Sequence, residues 1–236
     1  MPELSVVIPV YNEAALIGRV LEVVRAALAR QMIDAEIIAV NDGSTDGTAD
    51  VLGREPGVRL IDQPINGGKG AAVKAGVRAA TGNYVLIQDA DLEYNPDNYT
   101  ALLAPLRAGT SRVVLGSRFL NEKFRFWGQG KSPYWTHYIG NSLIVWLTNA
   151  LYRQSISDYE GCYKVFERGL IQSVPVTADG FEYDNELVCK LLRRGERVVE
   201  VPIDYRPRSY AEGKKINWRH GMVMLWTILK HRWGRD

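Results

Sequence analysis

The chain of 236 residues is poor in the features that mark several protein classes. Two cysteines, Cys162 and Cys189, exclude a disulfide scaffold and are too few for a cysteine-rich zinc site, which favours a reducing compartment. The three histidines, His137, His220 and His231, form no i, i+4 ligand pair and lack the setting of a serine or cysteine triad. No window offers about 20 uninterrupted apolar residues, so no membrane span is expected. The apolar stretch 138–152 is broken by Asn141, Ser142, Thr148 and Asn149. The opening MPELSVVIPVYNEA has neither a basic n-region nor a long apolar core, which speaks against a secretory signal. There is no internal repeat and no low-complexity tract. No G-x-G-x-x-G follows the first apolar run, and no G-x-x-x-x-G-K-[ST] occurs, so the dinucleotide fingerprint and the P-loop are both missing.

What is present is an ordinary globular composition, 46% hydrophobic and 24% charged, enough to bury a sizeable core. The net charge of +2 hides an asymmetry: residues 190–236 carry 12 Lys and Arg against 5 Asp and Glu. The acidic body and basic tail predict an anionic partner at the C-terminal end. Nothing points to nucleic acid.

Apolar runs alternate with helical spacing through the first half. Strands are predicted at Leu4–Val10, 35–40, 58–62, 84–88 and 112–116, with helices at 14–29, 45–52, 71–80 and 96–108. Further on, helices are expected at Trp135–Tyr152, 183–194 and 217–233, and a strand at 197–201. Residues 119–134, basic and bearing glycine and proline, read as a mobile loop that closes over a ligand, or as a plain surface loop. Such alternation implies an α/β fold with a mostly parallel sheet covered on both faces. Ligands then bind beyond the carboxyl ends of the strands. Those ends carry Tyr11-Asn12-Glu13, Asn41-Asp42, Asp89-Ala90-Asp91 and Ser117-Arg118.

Two carboxylates at i and i+2 on a strand exit, Asp89 and Asp91, suit a hard cation such as Mg²⁺ or Mn²⁺. Asp42, directly at a strand end, can accept from a nucleobase N–H. The turn Asn66-Gly67-Gly68-Lys69-Gly70 before a helix can hold phosphate through backbone amides, with Lys69 beside it.

Taken in order, SVVIPVYNE, VNDGSTDGT, NGGKGAAVKAG, QDADLEYNP, GSRF, SDYEGCYKVF, FEYDNE and EVPIDYRPRSYAEGKKI resemble family 2 glycosyltransferases of the GT-A fold, in particular the dolichyl- and polyprenyl-phosphate sugar synthases. The resemblance covers about residues 4–216 and implies one GT-A domain over 1–216. Its nucleotide-sugar half would be about 1–118 and its acceptor half about 119–216, followed by an amphipathic basic helix over 217–236. It further implies a nucleoside pocket of Pro9, Tyr11, Glu13 and Asp42, a Mg²⁺ or Mn²⁺ ion on Asp89 and Asp91, and an acceptor phosphate held by Arg118 and Arg208 with Lys214 or Lys215. Asn41 stands where the family usually has Asp, and Glu93, a third metal contact in this pattern, stands where Gln is frequent.

The expected activity is inverting transfer of a hexose from GDP-mannose or UDP-glucose to a polyprenyl phosphate. The enzyme would be cytoplasmic and peripheral on the cytoplasmic face of a membrane, with room for a membrane-anchoring partner subunit. One alternative is transfer to a sugar hydroxyl with Asp158 or Glu186 as base. Another is a non-catalytic nucleotide-sugar-binding or scaffold protein. In the last helix, Trp218, Met222, Leu225, Trp226, Leu229 and Trp233 form a stripe suited to the lipid interface or to packing on the protein's own core.

Overall fold

The computed structural model describes residues 1–120, 135–206 and 218–234. Arg208, Lys214, Lys215 and nearly all of the 119–134 loop lie outside them. One seven-stranded sheet runs through the protein in the order β3-β2-β1-β4-β6-β5-β7. Its strands are β1 (Leu4–Val10), β2 (Ala35–Asp42), β3 (Val58–Gln63), β4 (Tyr84–Ile87), β5 (Val113–Ser117), β6 (Lys164–Glu167) and β7 (Val198–Pro202). Pairings are parallel except those of β6, which is antiparallel to both β4 and β5. Strands from both sides of residue 118 therefore share one sheet.

The strands read as unbroken apolar runs because both faces are covered. Along β1, Leu4, Val6, Ile8 and Val10 enter the core that also holds Ile17, Val20, Leu21 and Val24 of α1 (Ile17–Arg30) and Leu102 and Leu103 of α4 (Tyr99–Arg107). Val7 points the other way. It joins Ala72 and Val73 of α3 (Lys69–Ala79), Leu170 of α6 (Arg168–Ser173) and Leu187 of α7 (Tyr183–Arg193). The period-2 alternation of strand side chains divides one apolar sequence between two cores.

The predicted strands and helices form with end shifts of a few residues, and the short helix at 45–52 is α2 (Thr48–Gly53). β6 and α6 are the elements that the hydrophobic pattern did not reveal. β6 has only four residues and begins with a lysine, so it offers no apolar period.

The two remaining helices, α5 (Trp135–Tyr152) and α8 (Trp218–Trp233), pack on each other and on α7. Met224 and Ile228 of α8 are buried with Ile144 and Cys189. The inward stripe of α8 is thus Met224, Thr227, Ile228 and His231. The stripe read from the sequence faces largely outward, with Met222 60%, Trp226 66% and Trp233 69% exposed. α8 is bound to the protein along one side and apolar along the other.

α3 approaches the sheet closely at Gly76. A Cβ there would stand 2.3 Å from Val7 Cγ1. Alanine favours a helix interior over glycine by about 1 kcal/mol, but overpacking costs about 1–3 kcal/mol, and a 2.3 Å approach to a buried valine lets the second effect win. Gly76→Ala is expected to lower the thermal midpoint. Gly53→Ala, where a Cβ meets nothing within 4 Å, is expected to leave it unchanged or raise it. Calorimetry of the two variants checks this.

Candidate active site

The carboxyl ends of β1, β2, β4 and β5 open on one edge of the sheet. At the β1 exit, Asn12 takes a left-handed backbone, φ 53°. Its amide donates to Ser44 Oγ, its Oδ1 accepts from Thr45 N, and Glu13 N donates to Thr48 Oγ1. Tyr11 and Glu13 are thereby pinned against the turn after β2. The buried Asp42 accepts from Gly67 N and Gly68 N, both at 2.8 Å, one on each oxygen. The residue expected to meet a nucleobase therefore also fastens the glycine turn. Asn41 is tied to Asp62 at 2.6 Å.

Lys69, first residue of α3, reaches Asp89 Oδ1 at 2.8 Å and lies 3.8 Å from Asp184 Oδ2. Burial alone would raise the Asp89 carboxyl, but the Lys69 ammonium brings it below its ordinary value. The same pairing holds Lys69 charged despite its burial. The backbone beneath Asp89 is firmly set. Asp89 N donates to Cys162 Sγ at 3.0 Å. Gln88 donates to the Asp89 carbonyl while accepting from the hydroxyls of Tyr99 and Tyr163. Asp91 Oδ1 accepts from Glu93 N.

Glu93, expected as a third metal contact, has a structural partner. Its Oε2 accepts from Tyr205 Oη at 2.7 Å, and its carbonyl accepts from Arg206 N. It joins the Asp89–Asp91 loop to the chain leaving β7. Arg118, at the β5 exit, forms a fork on Asp158 through Nε at 2.7 Å and Nη2 at 2.8 Å. Its guanidinium also stands over the rings of Phe119 and Tyr205, at 5.2 and 5.3 Å. Nη1 lies outside the fork.

Both carboxylates considered as bases have structural partners. Asp158, fully buried, accepts from the Arg118 side chain and backbone. Against burial, that arginine keeps its carboxyl low. Glu186 faces inward and binds Thr177, Ala178 N and Lys190. Burial opposes its ionisation, but these donors lower it to about 2. In this structure both carboxylates are engaged in ion pairs.

Three residues went unnoticed in the sequence. Lys164 of β6 is 1% exposed; its Nζ donates to Gly161 O at 2.5 Å and lies 3.3 Å from Asp184. It also acts on the carboxyls of Asp89, Asp158 and Glu160. Glu160 accepts from Asn185 Nδ2 at 2.8 Å, and burial pushes its carboxyl up although Lys164 draws it down. Asp184 lies in FEYDNE, two positions before the Glu186 that the sequence reading singled out. The 3.6-residue period that turns Glu186 inward was the available signal.

The donor set fits a hard divalent cation. Asp89 and Asp91 supply two carboxylates, and among the described residues no group of three His, Cys, Asp or Glu is placed to hold a metal. The other positions would fall to water and phosphate oxygens, the habit of Mg²⁺ and Mn²⁺ sites. Burial pushes the Cys162 thiol up, which leaves it a poor soft ligand.

The profile of "Glycosyl transferase family 2" matches residues 5–174. The chain belongs to this family.

Among family relatives, the low-salt glycan biosynthesis hexosyltransferase Agl6 of Haloferax volcanii is 31% identical over 95% of this chain. The dolichyl-phosphate beta-glucosyltransferase ALG5A of Trichomonas vaginalis is 29% identical over 96% of this chain and 71% of its own length. This family 2 chain spans 53% of the length of Agl6, about half of that relative. Its fold is the GT-A fold. Glucosyl-3-phosphoglycerate synthase of Mycobacterium tuberculosis, solved with Mn²⁺, uridine diphosphate and phosphoglyceric acid, superimposes with a TM-score of 0.75 at 22% identity, over 100% of this chain and 80% of that one.

The Glu186 cluster carries a pH signature. Its folded value of about 2 lies below the ordinary 4.5, so its stabilisation is present above pH 4.5 and is lost as pH falls towards 2. The span corresponds to at most about 3 kcal/mol. Glu186→Gln is expected to lower stability at pH 7 and to flatten this acid limb, read from urea midpoints between pH 7 and pH 2.5.

Proposed function

We propose that this family 2 glycosyltransferase moves a hexose, with inversion, from a nucleoside-diphosphate sugar of the UDP-glucose or GDP-mannose type to a polyprenyl phosphate. Pro9, Tyr11, Glu13 and Asp42 line the nucleoside side, and Lys69 with the glycine turn faces the diphosphate. Asp89 and Asp91 hold Mg²⁺ or Mn²⁺, which when bound offsets the charge of the departing diphosphate. Glu93 positions the loop through Tyr205 and is not needed as a third ligand. The uridine diphosphate and Mn²⁺ of the mycobacterial synthase, and the dolichyl-phosphate name of the Trichomonas relative, support the donor and acceptor classes.

One observation carries the phosphate acceptor. Arg118 stands over the ring of Tyr205, whose hydroxyl donates to Glu93, while Asp158 and Glu186, the bases an alcohol would use, are tied into ion pairs. A phosphate is already anionic near pH 7 and needs orientation without a base. A guanidinium suits that task, and with Nε and Nη2 on Asp158, Arg118 would meet the phosphate through Nη1. Arg208 and Lys214 or Lys215 would complete the phosphate grip. The 119–134 segment would cover the donor. A second reading, a sugar-hydroxyl acceptor, would need Asp158 or Glu186 to leave its ion pair and act as base.

The enzyme is placed at the cytoplasmic face of a membrane, and the outward faces of α5 and α8 support membrane association. Neither contains an acidic residue. Outward they present Leu143, Trp146, Met222, Val223, Trp226 and Trp233, with Lys230 on the same side of α8. Among the described residues no helix is long and apolar enough to cross a membrane. Such a face can lie in the headgroup layer of an anionic bilayer, directly or beside an anchoring subunit.

Asp91→Asn is expected to keep the fold and lose at least about a hundredfold in turnover, since an amide is a poor ligand for a hard cation. The assay is a panel of UDP- and GDP-sugars with a short polyprenyl phosphate and Mn²⁺ or Mg²⁺. Transfer to free sugars but not to the lipid phosphate would favour the second reading. Met222→Ser/Trp226→Ser is expected to reduce sedimentation with phosphatidylglycerol vesicles at an unchanged thermal midpoint, because both side chains face outward. Undiminished sedimentation would remove α8 as the anchor.

A further inference from the structure

Four charges of alternating sign run along the floor of the site. Asp89 meets Lys69 at 2.8 Å, Lys69 stands 3.8 Å from Asp184, and Asp184 stands 3.3 Å from Lys164. Two of them differ sharply in freedom. Lys164 is 1% exposed and fastened to the Gly161 carbonyl, so it stays where β6 puts it. Lys69 hangs from the first residue of α3 on a four-carbon stem, its side chain 17% exposed, and both of its ion-pair partners are carboxylates. In this structure the ammonium sits on Oδ1 of Asp89, a carboxylate that would hold the divalent cation, and the second carboxylate waits one ångström farther off.

We propose that Lys69 is the internal counter-ion of Asp89 and that Asp184 receives it when a divalent cation takes Asp89. The inference rests on the reading that Asp89 and Asp91 hold such a cation. An ammonium and a divalent cation on one carboxylate repel strongly in a partly desolvated cleft. Lys69 must then withdraw. Asp184 is the carboxylate within reach, and shortening the 3.8 Å separation makes a full ion pair. Without Asp184 the lysine would be left, among the described residues, with Asp89 as its ion-pair partner and would compete harder with the metal. Asp184 is thus a positioning residue that acts through Lys69. The exchange leaves Lys69 paired with a carboxylate in both states, and it keeps the lysine at the start of α3, where the donor diphosphate would lie.

The test is a double-mutant cycle read by metal binding and not by turnover. Mn²⁺ alone is titrated into the full chain at pH 7.5, and free Mn²⁺ is followed by electron paramagnetic resonance. Circular dichroism melts confirm that each variant is folded. Asp91→Asn reports on the metal site itself and should weaken binding at least tenfold, about the effect of replacing a charged hard ligand with a neutral amide. Lys69→Met should tighten binding, and Asp184→Asn should weaken it, each by about tenfold, the scale of one partly screened charge contact. In the Lys69→Met background, Asp184→Asn should have little further effect, because the two residues act as a unit.

Equal weakening by Asp184→Asn in both backgrounds would overturn the proposal, since Asp184 would then act through its field alone. Weaker binding in Lys69→Met would also overturn it, because the lysine would be a support and not a competitor. If Asp184→Asn fails to fold for want of a partner for Lys164, Lys69→Met decides by itself: unchanged or weaker binding sinks the exchange. Loss of binding in Asp91→Asn beside wild-type affinity in Asp184→Asn would discard the exchange and keep the metal reading. Equal binding by wild type and Asp91→Asn would discard both.

Discussion

The buried ammonium of Lys164 is the interaction on which the site depends. It sits on a strand between β4 and β5, out of water, and faces Asp184 directly while acting on Asp89, Asp158 and Glu160. A lone buried lysine would be costly, and so would carboxylates gathered without it. Together they offset one another. The arrangement persists because each member has further partners: Asp158 has Arg118, Asp89 has Lys69, Glu160 has Asn185, and Lys164 has the Gly161 carbonyl.

This charge cluster explains the reversed strand. β6 runs antiparallel between two strands of the opposite direction, so the segment leading into it arrives at the same sheet edge as the exits of β4 and β5. Cys162 and Lys164 are thereby delivered beside Asp89, whose own exit is supported by Gln88, Tyr99 and Tyr163. A parallel strand in that position would bring its amino end to the opposite edge. The donor side is likewise built from several distant pieces, with the β1 exit held by the turn after β2 and the glycine turn held by Asp42.

The helices α5 and α8 stand apart from this polar logic. Their inner faces close a small apolar core with Cys189, and their outer faces expose tryptophan, leucine and methionine without a single acidic residue. A helix that is apolar on two sides has two surfaces to satisfy. One is satisfied inside the protein, and the other suits a lipid interface.

Much of this was legible in the residues. Leu4–Val10 and its successors announced a doubly covered sheet because buried parallel strands are apolar on both faces. Asp89 and Asp91 announced an oxygen-ligand site because they follow such a strand directly. The ordered motifs announced the glycosyltransferase family. What the residues could not disclose was pairing across space. Nothing local distinguishes Asp158 and Glu186 from free bases, or marks Asp184 and Glu160 as carboxylates that meet the buried Lys164. Lys164 in a four-residue strand looks like a surface lysine, since a charged residue interrupts the only period a sequence displays. On α8 two helical faces carry apolar residues, so periodicity alone could not say which one is buried. Sequence determined the elements, the family and the strand exits that carry the chemistry, because these follow from local pattern. Tertiary structure decided which charges are free, which are spent on one another and which helix face remains outside, because those depend on distances between residues far apart in the chain.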